Sequence, residues 1–232
     1  MSTPETRQHE TVVEIPAPIE DVWNAITQAS EVTRWFAPIA RIDPREGGEY
    51  FVSWGPGMEG AGTIEVFDAP HHLRKVTSRG PVLDFYLETK AGATVLRLVH
   101  SGFLTSADWD GEYSGTKAGW PIYFRILTHA ITRHRGAVAH NMDLYGMTDE
   151  PVEQAREKLA NLGPGGATWW IWPEKNDAMV HVAAMAMGPK TMVWASIATF
   201  GLSEEEAESI RKEWQERMDQ AFPGKIAETS TA

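Results

Sequence analysis

Between Gly47 and Gly92 the chain is broken at short intervals by Gly47-Gly48, Gly55-Pro56-Gly57, Ala69-Pro70, Gly80-Pro81 and Ala91-Gly92. Runs that short have room for strands joined by tight turns and not for helices, so the residues from about 39 to 101 read as an antiparallel meander. In TVLRLVH (94–100), Thr94, Leu96, Leu98 and His100 fall on one face, and Val95, Arg97 and Val99 on the other. Upstream, TVVEI (11–15) alternates like a strand. PAPIEDVWNAIT then opens a helix, with Pro18 in its first turn and Ile19, Val22, Trp23 and Ile26 on one side. Ser30 is placed to cap a second short helix, EVTRWF, which Pro38 ends. Downstream, GWPIYFRILTHAITRHR (119–135) is a long helix. Its apolar stripe is Trp120, Tyr123, Phe124, Leu127, Ala130, Ile131 and His134, with Arg125, Thr128, His129 and Thr132 opposite. DWDGEY (108–113) reads as the loop leading into it.

The remaining two-fifths has a different texture. GAVAHNMDLYGM reads as a connection, Thr148 as a helix cap, and Val152, Ala155, Leu159 and Leu162 as a helical stripe that GPGG (163–166) ends. Three strand-like runs follow, around TWWIW and at 178–187 and 191–200, the last two apolar at nearly every position as in strands covered on both faces. In the closing helix Ser203 and Glu206 form a capping box and Leu202 and Ala207 a hydrophobic staple. Ala207, Ile210, Trp214 and Met218 form the buried stripe. As a strand, Trp170 and Trp172 share one face, Trp169 and Ile171 the other. Both faces are expected to be covered, one by the 203–220 helix or its sheet neighbours, the other by the first lobe or a second subunit. Seven of nine methionines and five of ten tryptophans lie after residue 137. Such composition suits adaptable apolar packing, either sealed on the first lobe or forming a homodimer interface.

Composition removes several functions. With 42% hydrophobic and 23% charged residues the chain is globular. It has no cysteine, which excludes disulfides and thiolate zinc sites and fits a cytoplasmic protein. The net charge of −11 argues against nucleic acid. It divides as −4 over residues 1–136 (13 basic, 17 acidic) and −7 over 137–232 (8 basic, 15 acidic). No basic amphipathic face, apolar signal core or bilayer-length run is present, so no membrane role is expected.

The succession EIPAPIEDVWNAIT, EVTRWFAP, DPREGGEY, GTIEVFDAPHHLRKV, TVLRLVHSGF and GW resembles the activator-of-heat-shock-protein-90-ATPase homologue family, within the SRPBCC superfamily of START-like, helix-grip folds. The pieces carrying it are the Pro16-Ala17-Pro18 entry with Val22 and Trp23, Trp35-Phe36, Gly47-Gly48, the Gly62-to-Val66 strand, the His100-to-Phe103 end and the Gly119-Trp120 start. The likeness runs from about Thr11 to Arg135; the residues after about 137 depart from the family's short ending. It implies an α+β helix-grip fold, a curved antiparallel sheet wrapped around a long helix with an apolar cavity between them. The added C-terminal lobe is an α/β arrangement of three strands and two helices. The division is then a disordered tail 1–10, a START-like domain 11–136, the C-terminal lobe 137–222, packed on the first domain or on a second subunit, and a disordered tail 223–232.

Cavity walls are expected at Trp35, Phe36, Trp54, Phe85, Leu87, His100, Phe103, Trp120, Phe124 and Leu127. His100, at the end of a cavity-lining strand, is the first candidate for polar chemistry or for a general base near neutral pH, followed by Arg97, Tyr86 and Asp84. His134 suits a helix C-terminus, and His181 a satisfied core position. No metal or cofactor is expected. His71 and His72 point to opposite faces of a strand, His129 and His134 are five apart, and no metal-binding, Walker or nucleophile-elbow motif occurs. GPGMEGAG (55–62) opens no helix and cradles no phosphate. No catalytic residue is nominated. The expected function is binding of an apolar or aromatic small molecule, more a carrier than an enzyme. Its rivals are a co-chaperone that stimulates the heat-shock ATPase and a cyclase or dehydratase using the same cavity.

Overall fold

A computed structural model describes residues 5–55 and 58–227, which divide into two compact units, 1–135 and 136–232. The first unit is a seven-stranded antiparallel sheet with three helices. Its elements are β1 (Thr6–Ile15), α1 (Ile19–Thr27), α2 (Ala29–Val32), β2 (Ile39–Ile42), β3 (Glu49–Ser53), β4 (Glu59–Asp68), β5 (His72–Thr77), β6 (Val82–Lys90), β7 (Ala93–Leu104) and α3 (Asp110–Arg133). The strand order β1-β7-β6-β5-β4-β3-β2 is a meander in which only β1 is out of sequence, pairing with the last strand. Register shifts at Arg7/His9 and Ile64/Val66 add local bend and twist of the kind that lets a sheet curl over a helix. The inward residues of successive strands include Tyr50 and Val52, Ile64, Leu73, Phe85 and Leu87, and Leu96 and Leu98, all buried. Against them lie Ile19, Val22, Trp23 and Ile26 of α1 and Trp120, Phe124, Leu127 and Ala130 of α3.

Two sequence expectations fail together here. The segment read as a tail through residue 10 is strand from Thr6, and α3 starts at Asp110 rather than Gly119, absorbing the expected DWDGEY loop. Arg7 pairs with Asp110 at 2.6 Å, Tyr113 Oη donates to Gln8 O at 3.2 Å, and His9 Nε2 meets Thr116 Oγ1 at 3.0 Å. Each polar segment orders the other, a long-range effect that local pattern does not carry. The helix runs through Pro121, and His129, expected on its polar side, is buried. Gln28, not Ser30, is the N-cap residue of α2.

The second unit contains β8 (Ala139–Thr148), α4 (Val152–Ala160), β9 (Trp169–Trp172), β10 (Ala178–Met187), β11 (Lys190–Phe200) and α5 (Glu204–Ala221). Its strands form an antiparallel sheet of order β8-β11-β10-β9. The added lobe therefore has four strands, not three. The stretch read as a connection is β8, paired with the whole of β11 from Ala139↔Phe200 to Thr148↔Thr191. Its side chains alternate weakly in hydrophobicity, and the apolar β11 beside it supplies the template. Both helices cover one face, where Leu144, Leu159, Val180, Val182, Val193, Ile197, Ile210 and Trp214 share a core. Ser203 and Glu206 form the expected capping box of α5. Pro151 rather than Thr148 precedes α4 as its N-cap; Thr148 Oγ1 instead accepts from Glu150 N–H.

Of the expected C-terminal tail, residues 223–227 are held in place, and 228–232 lie outside the described residues. Ile226 is buried and bridges Gly146, and Ala227 N–H donates to Tyr145 O at 2.9 Å. A side chain at Gly146 would sit 2.1 Å from Lys225 O, so only glycine admits this approach. In the tryptophan run, Trp170 and Trp172 pack on the helix-covered core, Trp170 with its ring 5.5 Å from that of Trp214. Trp169 and Ile171 are 44% and 37% exposed, so no element of the second unit covers the face expected to meet the first lobe or a second subunit. The helices lie on one side of the sheet only. His181, expected in the core, is half-buried on the strand face opposite Val180 and Val182. No helix among the described residues is long and apolar enough to cross a membrane.

Candidate functional site

The inner face of the first unit's sheet and the middle of α3 bring most of the expected cavity residues into one aromatic array centred on Trp120. Its ring stacks on Phe36 at 5.1 Å and 12°, meets Phe85 edge-on at 5.9 Å, and lies 5.6 Å from Phe124. Phe36 extends the array to Trp35 at 5.1 Å and to Trp54 at 4.9 Å, with Trp35 6.3 Å from Phe124. Such offset and edge-to-face pairs add modest stabilisation beyond area burial. Trp35 and Trp54 are further fixed by indole N–H donation, at 2.8 Å each, to Ala25 O and Phe36 O. Leu87 and Leu127 are buried in the same interior. Phe103 lies toward the N-terminal half of α3, packed on His9, His100, Tyr113 and Trp109.

Trp35, Phe85, Trp120 and Phe124 are fully enclosed, whereas Phe36, Trp54 and Tyr123 are half-buried. Tyr123 sits 4.9 Å from Phe36 and 6.2 Å from Trp54. These three rings form a rim that leads inward to Trp120.

His100 points inward as its place in TVLRLVH requires. Its Nδ1 accepts the Trp120 indole N–H at 3.2 Å, which puts the ring proton on Nε2. Burial and the neighbouring His9 push its pKa down to about 3. It is a neutral hydrogen-bonding group, not the general base near neutral pH that the sequence suggested. The polar residues ranked after it are on the other face. Leu83 pairs with His100, so Asp84 and Tyr86, like Arg97, point outward. There they form a ladder of their own. Arg97 lies over the Tyr86 ring at 4.5 Å and pairs with Glu10, His72 stacks on Tyr86 at 4.5 Å, and Asp84 accepts from Arg74 at 2.6 Å and His72 at 3.0 Å. The same outward face carries an open groove of about 980 Å³ beside Arg41, Phe51, Thr63, Glu65 and Val76. Arg41 already lies over Phe51 at 4.0 Å and Glu65 pairs with Arg74. It is a shallow channel on the sheet surface, separate from the aromatic array.

Two inward residues were not anticipated. Lys75 lies in phase with Leu73 on β5, buried to 8% exposure, its Nζ donating to Ile26 O at 3.3 Å. Burial lowers its pKa to about 8. Tyr50, at 5% exposure on β3, has a buried hydroxyl with no hydrogen-bond partner among the described residues, and burial raises its pKa. The signal was available in HLRKVT, where Leu73 and Lys75 alternate onto the face that must be buried. Among the described residues no three of His, Asp and Glu come together in a way that could hold a metal ion. The chemistry on offer is stacking on aromatic faces and hydrogen-bond donation from Lys75 and Tyr50.

Comparison with known proteins agrees with this architecture. No curated protein matches the chain. Among solved structures, protein MLL2253 from Mesorhizobium loti is 26% identical, with 54% of this chain covering 98% of that one at a TM-score of 0.48. CalU16 from Micromonospora echinospora is 24% identical, with 55% of this chain covering 78% of that one at a TM-score of 0.45. The Aha1 dimer from Colwellia psychrerythraea is 16% identical, with 56% of this chain covering 99% of that one at a TM-score of 0.51, a likeness of fold. The family model described as Activator of Hsp90 ATPase homolog 1-like protein matches residues 16–132, just over half of the 232 residues. With that match lying on a seven-stranded antiparallel sheet and its long helix, the chain belongs to the Activator of Hsp90 ATPase homolog 1-like family, within the SRPBCC superfamily of helix-grip folds.

Proposed function

We propose that the first unit binds an apolar, aromatic small molecule between the inner face of its sheet and α3. The observation that carries this reading is the graded aromatic array, half-buried at Phe36, Trp54 and Tyr123 and enclosed at Trp120 and Phe85. Rings that are partly hydrated in the free protein and stacked on one another can exchange those contacts for a flat ligand, gaining area burial with little loss of side-chain freedom. Of the candidate wall residues, Trp35, Phe36, Trp54, Phe85, Leu87, Trp120, Phe124 and Leu127 supply this surface, with His100 and Phe103 beside it toward the N-terminal half of α3. The test is titration with the neutral dye N-phenyl-1-naphthylamine. Saturable one-to-one fluorescence enhancement is expected, weakened at least fivefold in Phe36→Ala and Trp54→Ala. Absence of saturation, or affinity indifferent to both changes, overturns the proposal.

Family membership supports a second reading, stimulation of an Hsp90-type ATPase. An ATPase assay with micromolar protein that shows no stimulation removes it. The neutral, weakly basic His100 gives little support to a cyclase or dehydratase reading, since its Nδ1 is held by Trp120.

A further inference from the structure

The inner face of the sheet holds a positive charge with no counter-charge. Lys75 Nζ has three N–H donors, and one of them goes to Ile26 O. No carboxylate among the described residues pairs with it; its other neighbours are the faces of Tyr50, at 5.2 Å from ring centroid to Nζ, and Phe85, at 5.4 Å. The Tyr50 hydroxyl is likewise buried and without a hydrogen-bond partner among the described residues. The Tyr50 ring reaches this place because Gly62, directly across the ladder, has no side chain; a Cβ there would be 2.9 Å from the Tyr50 ring. A buried ammonium over a ring whose own hydroxyl is unpartnered, each with donors unused among the described residues, disfavours the folded state unless something completes them.

We propose that Lys75 and Tyr50 form the head-group subsite for a monoanionic carboxylate borne on the apolar ligand. This rests on the reading of the aromatic array as a ligand site and names the class of ligand. A carboxylate is an acceptor only, takes several donors at once and neutralises one buried ammonium. A phosphate dianion leaves an uncompensated charge in the same place. The subsite is continuous with the array. Phe85 touches Lys75 on one side and Trp120, at 5.9 Å, on the other, and Trp120 stacks under the rim ring Phe36. Trp54, on the rim, follows directly after the last residue of β3, four positions along the chain from Tyr50.

The experiment is calorimetric titration of the full chain at pH 7 with naphthalene-2-acetate and with naphthalene-2-acetamide, which share an apolar body. The acid is expected to bind at least tenfold tighter than the amide. Lys75→Met should bring the two within about twofold, and Tyr50→Phe should cost the acid about threefold. An acid affinity at or below that of the amide, or a preference that survives Lys75→Met, overturns the carboxylate subsite and leaves the aromatic site standing. If Lys75→Met does not fold, an undiminished preference in Tyr50→Phe overturns it equally. Failure of the wild type to bind either probe overturns the aromatic site and this inference with it.

Discussion

The Trp120 indole N–H donates to His100 Nδ1 at 3.2 Å inside the first unit, with the ring of His9 5.3 Å from that of His100. Protonating His100 would place a hydrogen on Nδ1, the nitrogen that accepts this bond, and burial opposes the charge as well. The folded-state pKa lies near 3 against 6.5 for the unfolded chain, so the unfolded state takes up the proton first as pH falls. Stability is full above about 6.5 and declines below it, by about 1.4 kcal/mol per pH unit for this residue. His9, whose pKa burial and Lys117 also lower, acts in the same direction. Urea midpoints at pH 7 and pH 5 should differ accordingly, and His100→Asn should flatten the difference. Equal midpoints in the wild type would contradict this account.

Lys75 acts in the same direction at higher pH. Its folded pKa of about 8 lies below the ordinary 10.5, so between these values the unfolded chain holds the proton that the folded chain has released. Stability therefore rises with pH through that window, and at neutral pH the buried charge disfavours folding. Lys75→Met, similar in volume, should stabilise the protein at pH 7 by about 3 kcal/mol. A raised melting temperature together with weakened ligand binding would mark Lys75 as kept for function at a cost in stability. A lowered melting temperature would show that the amine contributes more through Ile26 O and its packing than burial takes away.

The two faces of the tryptophan strand should respond differently. Trp170 lies against Trp214 in the helix-covered core of the second unit, and its replacement by alanine should cost about 2–3 kcal/mol. Trp169, 44% exposed, should change stability by less than about 0.5 kcal/mol on the same substitution. Chemical denaturation of the two variants compares them directly; equal losses would mean that the outer face is covered in solution.

The mutual ordering of β1 and the start of α3 can be cut at one atom. Thr116→Val removes the hydroxyl that meets His9 Nε2 and should cost about 1 kcal/mol. Amide exchange should accelerate over residues 110–118 and little beyond Trp120, where the helix is buried. Uniform acceleration along α3 would show that the helix behaves as one unit.

Much of the first unit was legible in the chain because its cues are local. Breakers at Gly47-Gly48, Gly80-Pro81 and Ala91-Gly92 end each strand, and strict alternation assigns Leu96, Leu98 and His100 to one face. The same alternation correctly turns Phe85 and Leu87 inward. The Ser203–Glu206 box marks α5 for the same reason, a three-residue spacing that a helix start needs. The family likeness came from the order of several such pieces.

Tertiary structure decided what depends on residues far apart. β1 extends to Thr6 and α3 to Asp110 because Arg7, Gln8 and His9 meet Asp110, Tyr113 and Thr116 across about a hundred positions. β8 is a strand because β11 lies beside it, and 223–227 are held because Gly146 lets the chain pass. The candidate site divides the same way. Which residues point inward follows from period-two geometry and was written in the sequence. That, among the described residues, Lys75 has no counter-charge, Tyr50 no partner and His100 no free Nδ1 follows from which strands and helices lie opposite them, and only the folded chain fixes that.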